Sequence, residues 1–212
     1  QSVHAARGVM RIAASDGLWV VPPGRALWVP AGVVHAIDCI GAVAMRTVYL
    51  RGSDRRLPDG CVVWSLSALM RELILRLAGG ADPAQVPHLL NLLLAEIETV
   101  ETVPLHVPEP TDRRLRTATT LMRDAPGLDA PIPALARAAG MSPRTLIRRF
   151  QADTGLTLRQ WRRQMRLLRG LERLGAGASV SEAAYDAGYA SASAFVYAFR
   201  TTLGTTPARY FG

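Results

Sequence analysis

The strongest constraint in this chain is an internal repeat. "IPALARAAGMSPRTLIRRFQADTGLTLRQW" (132–161) and "VSEAAYDAGYASASAFVYAFRTTLGTTPARY" (180–210) follow one skeleton. Each runs A-x-x-A-G, one or two residues, Ser, three residues, Leu or Phe, three residues, Phe. Four further residues lead to Gly-x-Thr and, after three more, to an aromatic residue. Every shared position has a physical use. Ala136 and Ala184 leave room for a second helix to cross closely. Gly140 and Gly188 supply the left-handed residue that ends a first helix. Ser142 and Ser191 cap a second helix, and Pro143 fits its first position, where a missing N–H costs nothing. Leu146/Phe150 and Phe195/Phe199, four residues apart, form its buried stripe. The pattern is a helix-turn-helix, present twice. One copy could be imitated by any pair of small packed helices, whereas two in register with the same tail are specific.

The copies differ in charge. "SPRTLIRRF" (142–150) carries three arginines and "SASAFVYAF" (191–199) carries none. The whole chain is similarly uneven. Residues 111–212 hold 16 Arg against 7 acids, a balance of +9, while 1–110 hold 9 Arg against 10 acids. There is no lysine. A near-neutral half joined to a strongly basic one suits a module for a small partner and a module for a polyanion. Double-stranded DNA is the first candidate; the basic half lacks the long amphipathic surface helix that a membrane partner would need. No apolar run approaches membrane-spanning length and no signal peptide is visible, so the expected location is the cytoplasm. Cys39 and Cys61 lack metal-site spacing and are expected to be buried free thiols.

Residues 1–64 read as short strands. "VHAARGVMRIAA", "LWVV", "RALWVP", "VVHAID", "VAMRTVYL" and "CVVWSL" are rich in Val, Trp and Tyr and are separated by Gly/Pro turns. Such spacing predicts a small antiparallel barrel or sandwich. The chain opens at Gln1 directly into strand-like sequence, and the set looks incomplete for a closed barrel, so further N-terminal sequence is expected. From 65 the period lengthens. Leu66, Leu69, Met70, Leu73, Ile74 and Leu77 mark one helix (66–78), and Leu89, Leu90, Leu93, Leu94 and Ile97 another (84–100), a 65–103 segment for dimerisation or relay. "PLHVPEP" (104–110) reads as a proline-rich linker and domain boundary. Beyond it, helices are expected at 112–124, 132–140, 143–153, 157–175, 181–188 and 192–203.

Residues 111–212 resemble the DNA-binding domain of AraC/XylS-type transcription regulators, with helix-turn-helix units at about 132–153 and 180–203, a long joining helix and a "GTTPARYF" tail. The first half is similar to the cupin-like sensor domain of that family. "WVVPPGRALWVPAGVVH" contains Pro30-x-Gly32-x-x-His35, which matches the second cupin motif. The resemblance implies an α+β two-domain chain: a truncated cupin-like β-barrel, two helices, and an all-α domain with two helix-turn-helix units.

In a helix-turn-helix, the exposed N-terminal side of the second helix enters the major groove. In the first copy this side is Arg144, Thr145, Ile147 and Arg148; an arginine there can contact guanine O6/N7 bidentately. In the second copy it is Ser193, Ala194, Val196 and Tyr197, which suit thymine methyls or phosphates. Both units are expected to bind, the first carrying more specificity. Candidates for the phosphate backbone are Ser142, Arg149, Arg159, Arg162, Arg163, Arg166 and Arg200. Arg159, Arg162, Arg163, Arg166, Arg169 and Arg173 share about a third of the long helix's circumference. A solvated charged face is the plainer account of some of them.

A catalytic cupin holds its metal with three or four ligands, and only His35 matches here. His4, His88 and His106 lie outside that pattern, so no metal site or cofactor is assigned. Trp19, Arg25, Trp28, His35 and Arg46 are candidates to line a cup for a small-molecule effector; the alternative is that both tryptophans are core. The expected protein is a bacterial sequence-specific transcription regulator, not an enzyme. It would be a homodimer through the 66–78 helix, the alternative being that both helices simply cover the open side of the barrel, with RNA polymerase as a partner if it activates. A cupin metalloenzyme fused to a basic domain is the rival. A DNA-repair alkyltransferase is a second, but neither cysteine has a nucleophile's context.

Overall fold

A computed structural model describes residues 1–50, 54–123 and 127–211. The Val- and Trp-rich stretches form strands β1 (Ser2–Ala5), β2 (Val9–Ala14), β3 (Gly17–Val21), β4 (Arg25–Trp28), β5 (His35–Ile40), β6 (Met45–Val48), β7 (Val62–Ser65) and β8 (His106–Pro108). They build two antiparallel four-stranded sheets, ordered β6-β1-β4-β7 and β5-β2-β3-β8. Of the two expected forms, barrel or sandwich, the strands thus take two separate sheets and not a closed barrel. The sheets approach each other at the β7/β8 side, through a Trp64–Thr102 bridge and a 2.9 Å bond from Val103 N–H to Val63 O. On the other side, β5 and β6 are edges of separate sheets. Cys39, expected to be buried, is exposed because it lies on edge strand β5; Cys61 is half-buried, and both thiols are free.

Strand alternation sorts the side chains into layers. Val3, Leu27 and Val63 of the first sheet share a cluster with Met10, Ile12, Trp19 and Val21 of the second. Their neighbours Ala26, Trp28 and Trp64 belong to a second cluster beneath α1 (Ala68–Ala78) and α2 (Val86–Thr99). Ser67 caps α1, its Oγ accepting from Met70 N–H at 3.0 Å and donating to Glu96 Oε2 of α2 at 2.7 Å. Leu66, Met70, Leu73 and Ile74 are buried there, within the chain. Most of the stripe expected at a dimer interface therefore covers the first sheet, and Leu69, 47% exposed, is its main outward residue.

The basic half contains α3 (Arg113–Arg123), a 3-10 turn (Gly127–Asp129), α4 (Ile132–Ala138), α5 (Pro143–Thr154), α6 (Leu158–Gly175), α7 (Val180–Asp186), α8 (Ala192–Leu203) and α9 (Pro207–Phe211). Asp124, the expected end of α3, lies outside the described residues. The segment expected to be a linker instead contains β8. Pro104, Pro108 and Pro110 leave His106 and Val107 free to pair with Trp19 and Leu18, and a proline is tolerated at the margin of an edge strand. Trp161 Nε1 of α6 donates to Pro108 O at 2.9 Å, and Leu105 and Val107 are fully buried. Helix α6 thus packs on the second sheet, where Gly175 meets Val9 and Glu172 lies 3.8 Å from Arg11. Tyr210 adds a 2.5 Å bond to Pro23 O, under the guanidinium of Arg25. Burial pushes that phenol up to about 12, against a smaller opposing pull from Arg25.

Candidate nucleic-acid interface

The two repeats share the bonds at their turns and at the caps of their second helices. Gly140 and Gly188 have φ of 61° and 80°, where a side chain would be strained. Past each glycine, Met141 N–H bonds Ala136 O and Tyr189 N–H bonds Ala184 O, both at 2.9 Å. Ser142 Oγ accepts from Thr145 N–H, and Ser191 Oγ from Ala194 N–H, both at 3.2 Å. Leu146 and Phe150 are fully buried in α5, as are Phe195 and Phe199 in α8. The terminal aromatic of each repeat closes it edge-on. Trp161 meets Phe150 at 6.2 Å and 81°, and Tyr210 meets Phe199 at 5.5 Å and 79°.

Burying one stripe leaves the opposite stripe of α5 and α8 outside. Arg144, Ile147 and Arg148 are exposed on α5. Thr145 is half-buried and its hydroxyl sits 2.8 Å from Ser142 Oγ. Neither Arg144 nor Arg148 has an ion-pair or hydrogen-bond partner among the described residues. On α8, Ser193, Ala194 and Tyr197 are exposed and Val196 is half-buried. Ser193, Val196 and Tyr197 line an open cleft of about 520 Å³ together with Arg200, Thr201 and Thr206. The chemistry offered is two unpaired guanidinium forks on one helix and methyl, hydroxyl and phenol groups on the other.

The backbone candidates divide. Arg162 donates to Ala130 O and Met122 Sδ, and Arg166 pairs with Asp129. Both tie α6 to the segment before α4, which removes them from the solvent-facing set expected for phosphate. Arg169 holds Arg123 O and Arg173 holds Asp186 at 2.6 Å, so much of the arginine stripe on α6 is internal bracing. Burial lowers the Arg162 pKa, with Asp129 opposing that shift. Arg159, Arg163 and Arg200 are exposed; Arg149 is exposed with Asp112 at 3.5 Å; Ser142 is exposed as the α5 cap.

The sequence of this chain matches a family model described as a helix-turn-helix domain over residues 135–212. It is 33% identical over 215 residues to the HTH-type transcriptional regulator NimR of Escherichia coli K12, covering 99% of this chain and 78% of NimR. The chain belongs to the AraC-type transcription regulators. Regulatory protein ada of Salmonella typhimurium is 37% identical over 76 residues, 36% of this chain and 22% of ada. The DNA-binding domain of AdpA, a global transcriptional factor solved in complex with a target DNA, is 32% identical. It covers 47% of this chain and 91% of that one, with a TM-score of 0.43. Nothing in these comparisons supports the metalloenzyme alternative.

The five residues expected to line an effector cup in the β half are not brought together. Trp19 lies between the sheets, 2% exposed and stacked on His106 at 4.3 Å. Trp28 is on the outer face of the first sheet, stacked on Trp64 and donating to Pro58 O at 2.8 Å. Arg25 sits over Tyr210. His35 opens β5 with Nδ1 2.9 Å from Val33 O, and Arg46 is exposed on β6. Sequence reasoning also missed a cavity in the basic half, lined by Pro104, Gln160, Gln164, Tyr189 and Thr202 among others. No motif signals it, because its residues come from segments far apart in sequence.

Proposed function

We propose that this AraC-type regulator binds double-stranded DNA through both helix-turn-helix units, reading bases mainly with α5. The observation that carries this is the pair Arg144 and Arg148: exposed, on the outward stripe of a capped helix, and held by no carboxylate among the described residues. A structural arginine in this chain finds an acceptor, as Arg162, Arg166 and Arg173 do. Unpaired guanidinium groups on a recognition face fit bidentate contact with guanine, worth about 1–3 kcal/mol of discrimination each. Thr145 and Ile147 flank them. Ser193, Ala194, Val196 and Tyr197 provide the second, less charged contact. Arg149, Arg159, Arg163, Arg200 and Ser142 remain the candidates for phosphate.

A small-molecule effector completes the proposed reading, together with a homodimer and RNA polymerase if the protein activates. Leu69 on α1 and Leu92 on α2, 47% and 50% exposed, are the most exposed large apolar side chains of these two helices and would face a second copy. Fluorescence anisotropy against a randomised DNA pool, followed by sequencing of the bound fraction, tests the central reading. Enrichment of one motif with two separated segments supports it; a bound pool with the composition of the input rejects it.

A further inference from the structure

Among the described residues of the basic half, the buried polar atoms without a hydrogen-bond partner include Gln164 Oε1 on α6 and Tyr189 Oη in the turn before α8. Orphaned groups of this kind are uncommon in folded proteins and call for a ligand, a water or a functional account. Both residues line the same cavity, of about 230 Å³, between α6, α8 and Pro104. One water occupies about 30 Å³ of liquid volume, so the space exceeds what a single water needs. It falls below the roughly 300–1,000 Å³ of drug-sized sites, so an occupant is small.

The lining specifies the occupant's chemistry. Leu156, Leu167, Ala198 and Pro104 give apolar walls. Arg163 is the charged lining residue, and no carboxylate is among the residues that line the space. Burial raises the Tyr189 phenol's pKa while Arg163, which lines the same cavity, and Arg166 pull it down less strongly. The anionic end of a ligand belongs with Arg163 and the Tyr189 hydroxyl. Gln164 Oε1 is an acceptor, so a ligand that also donates satisfies it. A neutral hydroxyl does this without bringing an ammonium group up to Arg163.

We propose that the cavity between α6, α8 and Pro104 is an effector site for a small hydroxylated carboxylate with an apolar body. Its position has a consequence for regulation. Arg149 of the first copy aligns with Ala198 of the second, and that small residue leaves the space open on α8. An occupant touches the joining helix, the second recognition helix and the chain next to β8. It therefore biases how the second unit sits relative to the first, to the extent that its affinity differs between DNA-bound and free protein. That regulatory consequence rests on the reading of the chain as an effector-responsive regulator; occupancy itself does not.

Calorimetric titration of the whole chain, without DNA, tests the site. The probes are 2-hydroxy-4-methylpentanoate and 4-hydroxyphenylacetate, with the hydroxyl near to and far from the carboxylate. The controls are 4-methylpentanoate, which lacks the donor, and 4-methylpentane-1,2-diol, which lacks the charge. Saturable one-to-one binding of at least one probe is expected, with the controls weaker by about tenfold or more. Tyr189→Phe and Gln164→Leu should weaken probe binding by a similar factor. Both should keep or raise Tm, because each removes an unpaired buried polar atom. No saturable heat from either probe up to roughly 10 mM, about −2.7 kcal/mol on the affinity scale, overturns the proposal. So does binding unchanged in both variants. Anisotropy on DNA without any probe is read separately, so failure of DNA binding cannot be mistaken for failure of this site.

Discussion

The two helix-turn-helix units use the same fold to present opposite surfaces. Offset by 49 residues, Ser142 and Ser191 cap, Leu146 and Phe195 pack, and Phe150 and Phe199 are fully buried. At the same offset, Arg144 and Arg148 become Ser193 and Tyr197, both still exposed. Capping hydrogen bonds and buried volume tolerate little change, since either loss costs about a kcal/mol or more. Exposed helix positions tolerate nearly any residue, because surface changes stay within about 0.5 kcal/mol. The difference teaches where to look for function: in positions that the skeleton leaves unconstrained and that the two copies fill differently.

The largest effects should treat the copies alike. Phe150→Ala and Phe199→Ala each empty a buried aromatic site and should cost about 3–5 kcal/mol of stability in urea unfolding. A loss several-fold smaller in one of them would mean that its copy is not held by the same core. The next effects should separate the copies. Arg144→Ala and Arg148→Ala should leave Tm nearly unchanged, and at least one should cost about 1–3 kcal/mol of binding, confined to one operator position. Tyr197→Phe should cost about 1 kcal/mol or less, because one exposed hydroxyl is lost. A larger loss from Tyr197→Phe than from both arginine variants would reverse the assignment of roles.

The smallest effect concerns the helix that joins the copies. Burial raises the Glu172 carboxyl above its ordinary range, with Arg11 pulling it back less strongly. The folded state therefore holds this proton more tightly than the unfolded chain does. Stability from this group is present below the ordinary glutamate range, about pH 4.3, and falls as pH rises through the raised value. Glu172→Gln should flatten that part of the pH–stability curve. The ion pair that it also removes, to a 42% exposed Arg11, contributes under about 1 kcal/mol. Base preference in both copies should be untouched.

Much of this molecule was legible in its residues. The repeat located α4, α5, α7 and α8 because Gly140, Gly188, Ser142 and Ser191 act through their own backbone neighbours. Long-range facts were not legible. Prolines at 104, 108 and 110 signal a break in helix, but only the presence of β3 beside them turns His106–Pro108 into a strand. The arginine periodicity of α6 was visible, yet it cannot show that Arg162 and Arg166 face Ala130 and Asp129 rather than solvent. The same holds for the cup. Trp19 and Trp28 sit nine residues apart, on strands of different sheets, and only the fold reveals that they face different layers.

The central claim is that the charged copy reads bases and the uncharged copy contributes less specific contact. Selection from a randomised operator library tests it most directly, run on the wild type, an Arg144→Ala/Arg148→Ala variant and a Ser193→Ala/Tyr197→Phe variant. The account predicts two motif segments about one helical turn apart, roughly 34 Å. The arginine variant should lose base preference in one segment only, and the second variant should shift the other segment weakly. Unchanged base preference in the arginine variant would contradict the account, because the charged copy would then touch only the phosphate backbone.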